Sequence, residues 1–363
     1  MQKSSEEIAN LVYLVNVKYT NKQNKTKEIF FKYLEEKKSK EEFEKEISKI
    51  WDNVNHSFMD QQIKKLQKAV NKENVTQAVN IGRLSKVPSY KATDEWVIDN
   101  EYFKLTPESY FIEFEQKFKK NVVRNYEQYQ IGYEKNPYGN YLNAKIDDYN
   151  KNVNQVVTYF TQKQDTLPNG MKVLKNVPYR KVQLSTYLSM LHNTDLTRGA
   201  WNQTISDAKR LNANRFLIPY HPFCCIECYA NMNRPLSLLE VENIVLDTAV
   251  IEDVISSGSV TGNILHPNCK CTLSIYWSDS QLESITMTDT EVDAIYKIRQ
   301  KVNGLTLEKS NLRTDIRIAK ELEDYAKVDK YKARISAINR NIRNLRDELP
   351  TSSLKKQVTA IKR

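Results

Sequence analysis

The chain has 363 residues, of which 55 are Lys or Arg and 45 are Asp or Glu, so its formal net charge is +10. The apolar content of 40% is too high for a disordered chain, and the length allows roughly two or three domains. Only eight glycines occur, roughly a third of the usual share. No GxxxxGK[ST], GxGxxG or GxSxG motif is present, so the common nucleotide-binding and serine-hydrolase signatures are excluded.

The N-terminus lacks the pattern of a membrane or secretory segment. The uncharged, apolar-leaning run 8–17 is too short to span a bilayer, and Glu6 and Glu7 precede it where a signal peptide carries positive charge. We therefore expect a soluble protein that is made in the cytoplasm and has no membrane partner.

Residues 1–81 contain neither Gly nor Pro, and Leu, Ile and Phe recur there at helical intervals. This pattern predicts an N-terminal helical region of two or three amphipathic helices.

Residues 82–178 are rich in tyrosine and interrupted by prolines. A helix is predicted over 107–133, because Thr106 can cap it and Pro107 suits its first position. A turn is expected over 132–139, and then a second helix over 141–164 that stops at the turn sequence Pro168-Asn169-Gly170. The region should be mostly helical.

Residues 179–283 alternate between the two types of secondary structure. Segments 182–193 and 200–211 are predicted to be two helices, and 235–255 also has helical spacing. Short strands are predicted over 215–219 and 272–277. These segments together predict a small α+β domain.

Residues 284–363 return to helix, with apolar residues spaced alternately by three and four positions. The first series is Ile295, Ile298, Val302, Leu305, Leu312 and Ile316, with Lys309 in the place of one apolar residue. The second is Val328, Tyr331, Ile335, Ile338, Ile342, Leu345 and Leu349. Such heptads are typical of coiled coils, so the two helices should fold back as a hairpin or pack on a partner. The fold class expected is mainly α with a small α+β central domain.

Most of the net charge lies in the C-terminal tail, since 325–363 holds eleven basic and three acidic residues. Such a basic helix is a candidate for nucleic-acid binding through phosphate, and a solvated basic surface is the alternative. The candidate residues are Arg334, Arg340, Arg343, Arg346, Lys355, Lys356, Lys362 and Arg363.

All five cysteines lie within one stretch, together with two of the four histidines. Cys225 and Cys228 form a Cys-x-x-Cys pair, and His266-Pro-Asn-Cys269-Lys-Cys271 follows. A two-residue gap lets a tight turn present two ligands to one tetrahedral zinc ion, and the second group offers further sulfur and imidazole ligands. The candidate metal ligands are Cys225, Cys228, His266, Cys269 and Cys271, with Cys224 and His221 as extra candidates. Four ligands can be chosen from this set in more than one way.

Other interpretations of the cysteines remain open. A disulfide is disfavoured by an odd number of cysteines in a reducing compartment. Buried cysteines without a ligand are common in proteins. A Cys/His hydrolase would need one oriented nucleophile and base, and no such pair stands out. A zinc deaminase would need His-x-Glu before its Cys-x-x-Cys pair, which is absent, so this interpretation is excluded. Structural zinc is the interpretation we favour, and we expect no catalytic residues.

The run from His266 to Thr272, preceded by the Cys225–Cys228 pair, resembles the signature of the phage minor head protein superfamily, the Mu-F-like or phage minor capsid proteins. In that family a His-Pro-Asn-Cys-Arg-Cys-Thr run leads into a strand, and here Lys270 replaces the arginine. The helical segment before the motif and the basic heptads after it are also similar. The resemblance covers roughly residues 180–350. In that family an Asp-x-x-Thr run often precedes the first cysteine, and a Gly-Lys pair follows the second. This chain has Tyr220-His-Pro-Phe-Cys224 and Asn231-Met-Asn-Arg234 at these places.

The resemblance implies a non-enzymatic virion protein that supports head assembly and DNA packaging or delivery. It would lie in the capsid interior or at the portal vertex, after assembly in the host cytoplasm. Its partners would be the portal protein, the major capsid or scaffold protein and packaged double-stranded DNA, and no small-molecule substrate is expected. The alternative is a zinc-containing, sequence-independent nucleic-acid-binding protein.

Overall fold

The structure of the chain is a computed structural model. The structure describes residues 2–52, 54–83, 105–106, 108–137, 139–154, 156–158, 162–166, 172–176, 180–220, 229, 231–241, 271–282 and 288–349.

The described part is mainly helical, with short strands. The helices are α1 (Gln2–Glu35), α2 (Lys40–Trp51), α3 (Ser57–Asn80), α4 (Glu108–Lys135), α5 (Gly139–Asp148), α6 (Leu184–Arg210), α7 (Asp289–Glu321) and α8 (Tyr325–Asp347). A π-helical turn (Tyr149–Val153) follows α5, and a 3₁₀ turn (Asp279–Gln281) precedes α7. The strands are β1 (Val156–Thr158), β2 (Gln162–Thr166), β3 (Lys172–Asn176), β4 (Arg180–Val182), β5 (Arg215–Leu217), β6 (Pro235–Ser237) and β7 (Ser274–Ile275).

The strands form three small sheets. β1 pairs with β4, β2 pairs with β3, and the third sheet has the order β6-β5-β7. In the third sheet both pairings are antiparallel, with Phe216 opposite Leu236 on one side and Ile275 on the other. The predicted small sheet within a mainly helical protein is therefore confirmed.

The chain divides into two compact units, each assembled from separated stretches of sequence. The first comprises Met1–Val17, Asn55–Phe111 and Val157–Asp289, and the second comprises Lys18–Val54, Ile112–Val156 and Thr290–Arg363. The division into four domains expected from the sequence, at 1–81, 82–178, 179–283 and 284–363, remains a prediction.

In the first unit the core joins the first turns of α1 to α3 and α6. Its buried members are Ile8, Leu11, Ile63, Leu66, Val70, Leu196 and Ala200. Helices α3 and α6 approach closely at Gly199, where a Cβ atom would lie 2.9 Å from the Cγ2 atom of Ile63. The absence of a side chain at Gly199 therefore allows this approach.

In the second unit the core is aromatic. The Phe30 ring on α1 meets five other rings edge-on, at centroid distances of 4.8 to 5.7 Å. These rings belong to Phe31, Phe43, Tyr126, Tyr129 and Tyr149. Phe43 stacks on Tyr126 at 3.9 Å, and edge-on and offset contacts of this kind stabilise a core beyond the burial of apolar area. Much of the tyrosine content of this unit is therefore structural.

Helix α2 shows how local sequence sets a helix start and a buried face. Ser39 and Glu42 form a reciprocal capping box, in which the Ser39 hydroxyl accepts from the Glu42 amide and the Glu42 carboxylate accepts from the Ser39 amide. Phe43, Ile47 and Trp51 follow at four-residue spacing and are buried.

Four predicted elements were wrong in type or extent. The helix expected over 141–164 ends in the π-helical turn, and the β-branched run after it forms strand β1. The two helices expected over 182–193 and 200–211 are the single helix α6. The turn expected from 132 begins only after Lys135, because Gly132 stays helical. The segment expected to be helical from Pro235 starts as strand β6.

The C-terminal heptads form two helices, α7 and α8, joined by a tight turn at 322–324. Arg334 donates to Glu308 at 2.7 Å and Lys309 donates to Asn339 at 2.8 Å, so residues at similar distances from the turn meet, as an antiparallel hairpin requires. The predicted seam is buried at four positions of α8 and three of α7, and half-buried at Ile335, Leu345 and Leu305. The buried positions are Val328, Tyr331, Ile338 and Ile342 in α8 and Ile295, Ile298 and Val302 in α7. This seam does not extend along the whole of α7. It is wrong near the end of α7, where Leu312 and Ile316 are only half-buried and Asp315 and Ile318 are buried instead.

Candidate metal strand and basic helix

One of the seven candidate metal ligands lies in the described part of the chain. Cys271 is buried, with 1% of its surface exposed, and it lies three residues before β7. The other six, His221, Cys224, Cys225, Cys228, His266 and Cys269, lie outside the described residues. The ligand set therefore stays a prediction.

The backbone that follows Cys271 is fixed on one edge by strand β5. Ser274 pairs with Leu217 in the ladder, and the Tyr276 amide donates to the Arg215 carbonyl oxygen at 3.0 Å. The Ser274 hydroxyl adds a bond of 3.2 Å to the Leu217 carbonyl oxygen. The segment is thus the edge strand of the β6-β5-β7 sheet.

Side chains occupy the opposite edge of the same segment. The Trp201 indole donates to the Cys271 carbonyl oxygen at 2.9 Å, and the Thr204 hydroxyl contacts the Leu273 carbonyl oxygen at 3.1 Å. The Gln281 amide donates to the Ile275 carbonyl oxygen at 3.0 Å. Alternate carbonyl groups of a strand point to the same edge, so these three bonds lie along one edge.

The described residues supply one thiol for a metal centre. Cys271 is deeply buried, as a structural zinc ligand in a small sheet would be, and its thiolate is a ligand type that zinc prefers. No group of three or more His, Cys, Asp or Glu side chains suited to a metal ion occurs among the residues that the structure describes.

No protein-family model, curated protein or solved structure matches the chain.

Helix α8 carries seven basic and two acidic residues. Arg334, a predicted phosphate contact, donates to Glu308, and this bond raises the pKa of Arg334. Arg340 and Arg343 are exposed, and Arg346 is half-buried. Lys355, Lys356, Lys362 and Arg363 lie outside the described residues. Three of the predicted phosphate contacts, Arg334, Arg340 and Arg343, are therefore exposed, and of these Arg340 and Arg343 form no ion pair with another described residue.

The buried polar groups of α6 belong to no sequence motif. The Asp195 carboxylate accepts from both the amide and the hydroxyl of Thr106, each at 2.8 Å. Burial raises the pKa of Asp195 to about 7 against the opposing effect of these bonds and of Arg198. The Asp207 carboxylate accepts from Asn71 and Asn74 of α3, at 2.7 and 3.0 Å. These contacts fasten α6 to its neighbours.

The two described histidines are also structural contacts. Nε2 of His192 lies 2.8 Å from the Gln62 amide oxygen, and burial lowers the pKa of His192 to about 4, so the ring is neutral at pH 7. His56 precedes α3, and its Nδ1 lies 3.2 Å from the Glu108 carboxylate at the start of α4.

The sequence does contain a feature that predicts the burial of α6. From Leu184 to Ala208 there is no Lys and no Glu, the residue types that cover most exposed helices. A helix of this length without them should be covered on nearly all sides, as α6 is.

Proposed function

We propose that this protein is a non-enzymatic bacteriophage minor head protein, associated with the portal and the head interior. The observation that carries the proposal is the Cys225-x-x-Cys228 pair followed by His266-Pro-Asn-Cys269-Lys-Cys271-Thr272. The burial of Cys271 and the strand that follows it support this interpretation, because the resembled motif leads into a strand. The preceding long helix α6 supports it as well.

A structural zinc ion would suit the first unit. Strands of two or three residues form few ladder bonds, and zinc binding contributes directly to folding where such a small sheet must be ordered. Cys271 would supply one thiolate, and the other ligands would come from Cys225, Cys228, His266 and Cys269. His221 and Cys224 are extra candidates. The ion would act only by holding these segments together.

Two measurements test the proposal. Affinity purification from infected bacteria should recover portal protein and major capsid or scaffold protein, and purified virions should contain the chain in the capsid interior or at the portal vertex. Metal analysis of the purified protein should find about one zinc per chain, and a chelator should lower its melting temperature. Absence from virions would overturn the head-protein proposal, and absence of zinc with an unchanged melting temperature would overturn the metal site.

The second candidate is sequence-independent binding of double-stranded nucleic acid through α8. It rests on the exposure of Arg340 and Arg343, which form no ion pair with another described residue. Binding of this kind shows a steep salt dependence. Deletion of α8 would be a poor test, because Val328, Tyr331 and Ile338 are part of the core of the second unit. Substitution of the exposed arginines avoids this damage.

A further inference from the structure

The strand segment that carries Cys271 is fixed on both edges by donors of different kinds. Strand β5 pairs with the residues that face it, Ser274 and Tyr276. The carbonyl groups of Cys271 and Leu273 point the other way and accept from Trp201 and Thr204, which lie three residues apart on α6.

The spacing of the two donors matches the spacing of the two acceptors. Residues three apart lie on the same face of a helix, and carbonyl groups two residues apart lie on the same edge of a strand. Trp201 and Thr204 are themselves completely buried, so both donors are held in place by their surroundings.

A shift of the strand by one residue would present different groups to both edges. The carbonyl groups of Thr272 and Ser274 would then face α6, and every side chain would move to the opposite face of the sheet. The Cys271 thiol would leave its present position.

We propose that Trp201 and Thr204 are positioning residues that fix the register of residues 271–275 and thereby hold the Cys271 thiol where a metal ion could use it. The part of this inference that concerns the metal rests on the proposed zinc site. The part that concerns register does not.

The test measures how fast the Cys271 thiol is alkylated in the full chain. The protein is pulsed with N-ethylmaleimide, quenched, digested with trypsin and analysed by mass spectrometry. Cleavage after Lys270 leaves Cys271 as the single cysteine of its tryptic peptide, so its alkylation is measured separately from that of the other cysteines. The first measurement is made with a chelator present.

The variants distinguish the effect of losing the Thr204 hydrogen bond from the effect of changing the volume of the side chain. Thr204→Val keeps the volume and removes the hydroxyl, whereas Thr204→Ser keeps the hydroxyl and removes a methyl group. The Thr204 hydroxyl also contacts the Ala200 carbonyl oxygen of its own helix, at 3.2 Å. Thr194→Val is therefore the control, because among the described residues the buried Thr194 hydroxyl bonds only the Met190 carbonyl oxygen of the same helix.

We expect Cys271 to be alkylated about fivefold faster in Thr204→Val and in Trp201→Phe than in the wild type, the factor that corresponds to one intramolecular hydrogen bond. Thr204→Ser and Thr194→Val should react at the wild-type rate. If Thr204→Ser reacts faster than Thr204→Val, or if both Thr204→Val and Trp201→Phe react like Thr194→Val, the inference is wrong.

Repeating the measurement with added zinc distinguishes the two proposals. Protection of Cys271 by zinc in the wild type would support the metal site. If zinc gives no protection but Thr204→Val still reacts faster than Thr204→Ser in chelator, the metal site fails and the register inference stands.

Discussion

The Lys27 ammonium group on α1 donates to the Asp315 carboxylate on α7, and only 2% and 3% of the two side chains is exposed. Asn150, in the π-helical turn, closes a triangle with them, since its amide oxygen accepts from Lys27 at 2.7 Å and its amide nitrogen donates to Asp315 at 2.9 Å. Burial lowers the pKa of Lys27, and the carboxylate of Asp315 opposes this shift. Three separated segments of the second unit are thus joined by this group of three polar contacts.

Breaking this pair on one side should destabilise the protein strongly. Lys27→Met leaves the Asp315 carboxylate buried without its cation, which costs about 3–5 kcal/mol of unfolding free energy. The double variant Lys27→Met/Asp315→Leu should be clearly more stable than Lys27→Met, because no lone charge remains. Urea unfolding of the single and double variants measures both effects.

The Arg317–Glu28 ion pair provides the control, because it joins the same two helices at the surface, with 60% and 31% exposure. Arg317→Ala should cost no more than about 1 kcal/mol. A Lys27→Met variant that unfolds at the same urea concentration as Arg317→Ala would contradict this expectation.

Two helical glycines should respond oppositely to alanine. Gly304→Ala in α7 should stabilise the protein by about 0.5–1 kcal/mol, because nothing lies within 4 Å of the added Cβ and alanine favours helix. Gly199→Ala in α6 should destabilise it by about 1–3 kcal/mol, because its Cβ would overlap the Ile63 side chain at 2.9 Å. Thermal unfolding of both variants gives the comparison, and equal shifts in melting temperature would disprove the close approach.

Asp195 should make the stability depend on pH. Burial raises its pKa from 3.8 to about 7, so between these values the unfolded chain loses a proton that the folded protein keeps. The stability contributed by the protonated group is fully present below pH 3.8 and is lost as pH rises through 7.

Asp195→Asn removes this titration but keeps an oxygen that can accept from Thr106. Relative to the variant, the unfolding free energy of the wild type should therefore fall as pH rises from about 4 to about 7. Denaturant unfolding at several pH values measures the difference, and a difference that is constant with pH would show that Asp195 does not titrate in this range.

If α8 binds nucleic acid, its exposed arginines should account for part of the salt dependence of the binding affinity. Arg340→Gln/Arg343→Gln should reduce the slope of log affinity against log salt by about 2, roughly one for each phosphate that is no longer neutralised. Arg334→Gln should change the slope less, because Arg334 is already paired with Glu308. Fluorescence anisotropy with a random DNA duplex at several salt concentrations provides the measurement. Equal slopes for all three proteins would exclude this surface.

Sequence pattern was sufficient where one local feature decided the structure. Residues 1–81 lack Gly and Pro, and three helices form there. The periodicity of α8 located its buried face, including Val328 and Tyr331, since a single stripe of side chains faces the core. The strand at Arg215–Leu217 also followed from its short apolar run.

Pattern failed where a distant residue decided the outcome. The buried face at the end of α7 includes Asp315 because Lys27, far away in the sequence, supplies its counter-charge. Two helices were expected, over 182–193 and 200–211, but α6 runs through the stretch between them without a break, and α3 packs against it at Gly199. For the candidate metal site, the sequence motif predicted the types of ligand. Trp201 and Thr204 belong to no motif, and their role is inferred from their contacts in the structure.

The outer edge of β7 has a consequence for association. A sheet edge with free carbonyl groups is a template on which another chain can add a strand, the first step of many aggregation processes. Along β7 and the three residues before it, an incoming strand would have to displace the Trp201 indole, the Thr204 hydroxyl and the Gln281 amide, which already bond the carbonyl groups. On the opposite edge strand, β6 begins with Pro235, which has no N–H group to offer. Both edges of the small sheet are therefore protected against the addition of a strand from another chain.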